Sequence, residues 1–202
     1  MGNILEEISI MEQDVLAALR QATARRHAEL DSSTPLAAGE VDLRAYHDHL
    51  RLLEQWLAPI QDWMARFDDG PRLQACLHAI REDLAHPALA GMPAPAENAI
   101  AVAWPAQCGA AWRWGVCYVI EGSQLGGAVL YKRLADRLAP HPLDYLRGAG
   151  SPGPRWQQFI AALRAHVVDA REVAEACQGA RQAFDSLIAL NRARSAAASF
   201  EK

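Results

Sequence analysis

Three glycines lie in a stretch that otherwise has the pattern of one long helix. They are Gly122, Gly126 and Gly127, within residues 118–127, YVIEGSQLGG. Glycine inside a helix costs roughly 1 kcal/mol relative to alanine, so this group needs a reason. Gly122 and Gly126 are four residues apart and share one face of the helix. That face predicts the close approach of a flat ligand, and close packing of a second helix is the alternative.

The composition is that of a globular helical protein. The chain has 202 residues, of which 51% are hydrophobic and 22% charged, as expected for one domain with its own core. The formal net charge of −4 does not indicate a nucleic-acid surface. The four cysteines form no C-x-x-C pair, which predicts reduced thiols and a cytoplasmic location. We expect neither a secretory signal nor a membrane-spanning run.

Helical periodicity predicts an all-α protein with a single compact multi-helix domain. Residues 1–12 are expected to form a flexible leader, and residues 13–202 the domain. Pro59 is expected to kink or split the second helix, and Pro71 to begin the third. The predicted helices cover about residues 14–31, 42–67, 71–84, 107–138, 155–177 and 180–195.

His27 lies on an apolar stripe of the first predicted helix, together with Thr23 and Leu30. The spacing predicts an imidazole that points inward, and a core histidine with one satisfied hydrogen bond is the alternative to a metal ligand. Asp31 follows one turn later, where a carboxylate can orient the ring. Arg20 precedes it by two turns, about 10 Å along the axis. A histidine, an acid and a basic residue in this arrangement suit the binding of haem.

Two motifs in this order resemble the haem oxygenase family, in its bacterial, biliverdin-producing branch. Residues 19–30, LRQATARRHAEL, resemble the proximal helix, and residues 118–127 resemble the distal helix. The resemblance implies the haem oxygenase type of fold, with haem between the proximal helix and a kinked distal helix. It also implies that His27 is the iron ligand.

The resemblance assigns roles to further residues. Arg20 and Tyr118 are implied beside the haem propionates, and Phe184 is expected to line the pocket with Thr23. Ser123 stands where animal members have an aspartate that organises distal water. The residues implied for the distal pocket are Gly122, Ser123, Gly126 and Gly127. Other side chains are expected in the core or at the surface, with a pocket or propionate role as the alternative: Trp104, Trp112, Trp114, Trp156, Arg155, Arg164 and Arg181.

The family resemblance implies an activity and its partners. Haem b would be both substrate and cofactor, cleaved with O₂ and reductant to biliverdin, carbon monoxide and ferrous iron. The implied partners are an electron donor, such as a ferredoxin or a flavoprotein reductase, and a bacteriophytochrome that accepts biliverdin. Two alternatives stay open: a protein that binds or delivers haem without cleaving it, and an all-α domain that binds another ligand or a partner protein.

Overall fold

The computed structural model describes residues 14–37, 40–73, 76–93, 102–148 and 152–200. Within these residues the chain forms seven α-helices and no strand, which confirms the all-α class. The leader predicted for residues 1–12 lies outside them. No helix in the described ranges has the length and hydropathy needed to cross a bilayer. The helices are α1 (Val15–Ser33), α2 (Leu43–Met64), α3 (Cys76–Leu84), α4 (Ala110–Leu134), α5 (Asp144–Arg147), α6 (Pro152–His166) and α7 (Ala170–Phe200).

The longest helix, α7, supports the rest of the fold. Both α1 and α4 pack along it, and α6 packs against α4 and the neighbouring α1. The other helices form a second group, in which α3 lies between α2 and α5 and α5 returns to α4. Because α1 and α4 share one support, their positions relative to α7 set the space between them.

Two glycines allow α4 and α7 to cross closely. A Cβ on Gly115 would lie 1.8 Å from the carbonyl oxygen of Ala176, and a Cβ on Gly179 would lie 2.0 Å from that of Trp112. No side chain fits at such distances, so this crossing requires glycine at both positions. The predicted helix break at residues 177–180 is therefore wrong, since Gly179 lies inside α7 and serves its packing.

The break before α7 falls at residues 167–169 instead. Asp169 Oδ1 accepts a hydrogen bond from Glu172 N at 2.7 Å, and Glu172 Oε2 accepts one from Asp169 N at 3.3 Å. This reciprocal pair is a capping box, which satisfies backbone donors that a new helix leaves unpaired. The D-x-x-E signal is present in the sequence, and it marks the helix start that the periodicity missed.

Two prolines do not end or begin helices as predicted. Pro59 lies inside α2, which continues unbroken past it, so it does not split the helix. Ile60 and Trp63 in the same segment are almost fully buried, and burial of such side chains offsets the roughly 3 kcal/mol that an interior proline costs. Pro71 does not begin α3, which starts only at Cys76.

Candidate functional site

Helices α1 and α4 form the two walls of a crevice whose floor is α7. Both walls pack on α7 but make little direct contact with each other. At one end, Tyr118 on α4 interacts with Thr23 and Arg20 on α1. At the other end, Arg133 Nη2 donates a hydrogen bond to the carbonyl oxygen of Leu36, just beyond α1, at 3.2 Å. The two helices therefore run in the same direction, and the crevice lies between these contacts.

The crevice is long enough for a flat tetrapyrrole. Between the levels of Tyr118 and Arg133, α4 rises about 22 Å. One helical turn beyond the first contact, His27 on α1 and Gly122 on α4 come to the same level. The floor here includes Phe184, which is 6% exposed, and its ring centroid lies 6.0 Å from that of His27. Phe184 thus lies where a pocket-lining residue was predicted.

Gly122 and Gly126 present bare backbone along α4. Apart from the adjacent residues and backbone of α4 itself, no described atom lies within 4 Å of the position that a Cβ on Gly126 would take. The nearest atoms to a Cβ on Gly122 are Cζ3 and Cη2 of Trp156, both at 3.9 Å. Packing among the described residues therefore does not require glycine at position 122 or 126. Gly115 and Gly179 differ in this respect, because a side chain at either position would collide with backbone atoms. Helix packing does not explain this pair, and the space in front of it suits a flat ligand.

Gly127 and Ser123 lie differently from that pair. Gly127 is buried, and its Cβ would lie 3.5 Å from the carbonyl oxygen of Leu146. Since successive residues of a helix differ in direction by about 100°, Gly127 faces α5, contrary to the expectation that it lies in the distal pocket. Ser123 is exposed, and its Oγ donates a hydrogen bond to the carbonyl oxygen of Ile120 at 2.7 Å.

His27 does not point into the protein core, so that prediction is wrong. Its side chain is 63% exposed, because no described helix covers this side of α1. The contact with Asp31 is direct, with 2.8 Å between His27 Nδ1 and Asp31 Oδ2. Among the described residues Nε2 has no hydrogen-bond partner. A neutral imidazole that donates from Nδ1 keeps the Nε2 lone pair available for a metal ion.

Basic side chains gather at the Tyr118 end of the crevice. Burial raises the pKa of the Tyr118 phenol, and its interactions with Thr23 and Arg20 oppose that rise. Arg181 on α7 lies near Cys177, and Cys177 in turn lies near Tyr118. Arg20 and Arg181 are exposed and form no ion pair in the described part of the chain. Two unpaired guanidinium groups and a phenol are suitable partners for carboxylates at this end.

The other two arginines weighed for this role are already engaged. Arg155 Nε and Nη2 donate to Glu121 at 2.8 and 2.6 Å, and Glu121 is 5% exposed. Arg164 binds Asp14 in the same two-pronged way at 2.8 and 2.7 Å. These pairs connect α6 to α4 and to the start of α1. Both arginines therefore stabilise the packing of the helices that form the crevice and are not available to bind a ligand.

Sequence reasoning placed Trp156 in the core, whereas the structure places it at the crevice. Its indole lies beside Gly122, with its ring centroid 5.8 Å from that of Tyr118. It also stacks on Phe159, at 5.7 Å between centroids and 24° between planes. The two aromatic residues are three apart on α6, a spacing that places them on one helix face.

A buried carboxylate supports the far side of α4. Asp83, 1% exposed, accepts hydrogen bonds from Tyr46 Oη at 2.5 Å, Asp144 N at 3.0 Å and Tyr145 N at 2.9 Å. Gln124 Nε2 on α4 donates to Tyr145 Oη at 3.4 Å. Burial raises the pKa of both phenols, so both stay protonated. No local pattern in the sequence signals this network.

Comparison with known proteins finds heme oxygenases that are similar to this chain. The family model described as heme oxygenase matches residues 98–193, a range that includes α4 and ends in α7 but leaves out α1. The chain is 35% identical over 159 residues to the heme oxygenase of Xanthomonas campestris pv. campestris (strain 8004). The matched region covers 74% of this chain and 90% of that protein. No solved structure matches the chain significantly. From the extent of its likeness to that relative, the chain belongs to the haem oxygenase family.

Proposed function

We propose that this haem oxygenase binds haem b in the crevice and, with O₂ and reductant, converts it to biliverdin, carbon monoxide and ferrous iron. One observation supports this most: the exposed imidazole of His27 on α1 and the bare backbone of Gly122 on α4 both lie one helical turn beyond the contact between Tyr118 and Thr23. Bound haem supplies both the iron that activates O₂ and the porphyrin that is oxidised.

His27 has the role of iron ligand in this proposal. Its Nε2 would hold the iron, while Asp31 keeps the proton on Nδ1 and fixes the ring orientation. The exposure of the imidazole, which contradicts a core role, is what a ligand on a crevice wall requires. A neutral imidazole at this position would also donate less electron density to the iron than a thiolate would, which suits oxidation of the porphyrin itself.

Gly122 and Gly126 would form the opposite wall. Their missing side chains let a flat ring approach the α4 backbone. Ser123 follows Gly122, its hydroxyl proton is directed to the Ile120 carbonyl oxygen, and its side chain also interacts with Tyr145 on α5. The Ser123 oxygen can still accept a hydrogen bond from water, which would carry protons from the α5 side towards this wall.

The Tyr118 end would hold the propionates. Arg20 and Arg181 provide unpaired positive charge there, and Tyr118 provides a protonated phenol. The apolar edge of the ring would then lie deeper, towards Arg133 and the end of α1.

The proposed orientation of haem, with its propionates at the Tyr118 end, also indicates where an electron donor would bind. An electron donor, such as a ferredoxin or a flavoprotein reductase, would dock at the exposed basic edge around Arg20 and Arg181, where opposite charge guides association. We propose a cytoplasmic reaction, with biliverdin passed to a bacteriophytochrome. Assembly of a bilin-free bacteriophytochrome in the reaction mixture would test that last step.

The test is a hemin titration of the wild-type protein, followed by reduction in air. We expect a Soret band of a histidine-bound haem, then its loss with appearance of biliverdin absorbance and carbon monoxide. His27→Ala should abolish the native Soret band and turnover. His78→Ala is the matched control, because His78 is 77% exposed and pairs with Glu82 four residues on, as His27 does with Asp31.

Each outcome separates the functions considered. Haem binding through His27 without bilin formation would identify a binding or delivery protein. An unchanged spectrum and turnover in His27→Ala would remove His27 from the ligand position. The absence of any Soret shift on adding hemin to the wild type would refute haem binding in the crevice.

A further inference from the structure

We propose that Trp156 determines which meso carbon of bound haem is attacked, because its indole lies beside Gly122 while the space beside Gly126 stays open. This inference rests on the proposed function. It adds a residue that selects the product isomer, and it follows from an asymmetry in the described crevice.

The bare face of α4 is open on one half and covered on the other. At Gly122, two indole carbons of Trp156 lie 3.9 Å from the position of a Cβ, which is ordinary van der Waals contact. At Gly126, one turn further on, no described atom lies within 4 Å. A flat ring between His27 and this wall would meet an aromatic side chain on the α6 side of Gly122 and free space beside Gly126.

The indole is held firmly in this place. On one side it lies against Tyr118, and on the other it stacks on Phe159, whose ring centroid is 5.6 Å from that of Trp114. The preceding residue, Arg155, binds the buried Glu121 through two hydrogen bonds. The backbone of Trp156 is therefore fixed to α4, and its side chain packs in a row of rings that restricts rotation.

A fixed obstacle on one side of the ring has a directional consequence. The porphyrin can rotate in its plane only as far as the indole permits, and the reacting oxygen needs free space above the carbon that it attacks. Trp156 removes that space near Gly122 and leaves it near Gly126. The geometry therefore points to attack on the meso carbon that lies on the open side, and to one predominant biliverdin isomer.

The experiment compares wild type, Trp156→Ala and Trp104→Ala. Trp104 is the matched control, because it is also a half-buried tryptophan but packs against Trp63 and Trp112 instead of the crevice. Biliverdin isomers are separated by chromatography after complete turnover. The in-plane orientation of bound haem is read independently from the hyperfine-shifted methyl resonances of the ferric cyanide complex.

We expect one main isomer and one set of methyl resonances from the wild type and from Trp104→Ala. For Trp156→Ala we expect the ratio of minor to major isomers to rise at least tenfold, equivalent to about 1.4 kcal/mol, with a second set of resonances. Unchanged isomers and resonances in a Trp156→Ala protein that binds haem would overturn the proposal. A mixture of isomers from the wild type would do the same.

Two further arms keep the test decisive. If circular dichroism shows that Trp156→Ala does not fold, Trp156→Leu and Trp156→Phe replace it. We expect the same rise in minor isomers from both variants, and an unchanged isomer ratio in either one would refute the proposal. If the wild type binds haem but makes no biliverdin, the proposed function fails, while the methyl resonances still report whether Trp156 sets the orientation of haem.

Discussion

Gly126→Ala should stabilise the haem-free protein while weakening its binding of haem. The new methyl group enters space that no described atom occupies within 4 Å, so it meets no steric resistance. Alanine in place of an exposed glycine inside a helix is favourable by roughly 0.5–1 kcal/mol. For a chain of this size, that corresponds to a rise in Tm of about 1–4 °C.

The same methyl group should obstruct a ligand that lies against α4. We expect hemin affinity to fall at least tenfold, or by about 1.4 kcal/mol. Thermal unfolding of the haem-free protein, followed by far-UV circular dichroism, gives the first quantity, and a hemin titration followed at the Soret band gives the second. The two effects have opposite signs, so one variant tests both the open space and its use.

Gly115→Ala is the control for the stability measurement. A Cβ there would lie 1.8 Å from the carbonyl oxygen of Ala176, so α4 and α7 must separate, and we expect a loss of about 3 kcal/mol or more of unfolding free energy. A lower Tm for Gly126→Ala would show that the space beside it is filled. Wild-type hemin affinity in a stabilised Gly126→Ala protein would show that haem does not lie against this face.

Two other predictions concern stability. Asp83→Ala leaves two buried donors, Tyr46 Oη and Tyr145 N, and the part-buried Asp144 N without their acceptor, so urea titration should show a loss of about 3 kcal/mol or more, and a loss below about 1 kcal/mol would contradict the network. At His49, whose buried Nδ1 lacks a described partner, burial lowers the pKa to about 4. The unfolded chain then binds more protons between about pH 4 and 6.5, and the protein should lose about 2 kcal/mol of stability from about pH 7.5 to 5. His49→Gln should flatten that slope, and an unchanged slope would refute the assignment.

The sequence predicted the two walls of the crevice but not what each wall faces. The stripe through Thr23, His27 and Leu30 has helical spacing, which predicts that this face is covered by other atoms. Spacing does not distinguish a neighbouring helix from a bound ligand, so the inward orientation predicted for His27 was wrong while its contact with Asp31 was right. A pattern within one element carries no information about the element opposite.

The glycines also show that a pattern within one helix does not reveal what lies opposite it. In the sequence, Gly115 looks like an ordinary interior glycine, Gly179 falls in a predicted helix break, and Gly126 belongs to a cluster that demands an explanation. In the structure the first two are required by a helix crossing, and the third faces open space. Trp156 reaches the crevice from α6, whose packing on α4 depends on contacts distant in sequence, such as the one between Arg155 and Glu121. No local signal could have placed it.

The crossing of α4 and α7 at Gly115 and Gly179 also affects the width of the crevice. Since α1 and α4 are each seated on α7, the width of the gap between them depends on how deeply α4 settles onto that helix. A relative with bulkier residues at this crossing would carry its glycine-lined wall further from the helix that corresponds to α1, without any change among the residues that line the crevice. Differences in fit within the family can therefore originate at a contact that no substrate ever reaches.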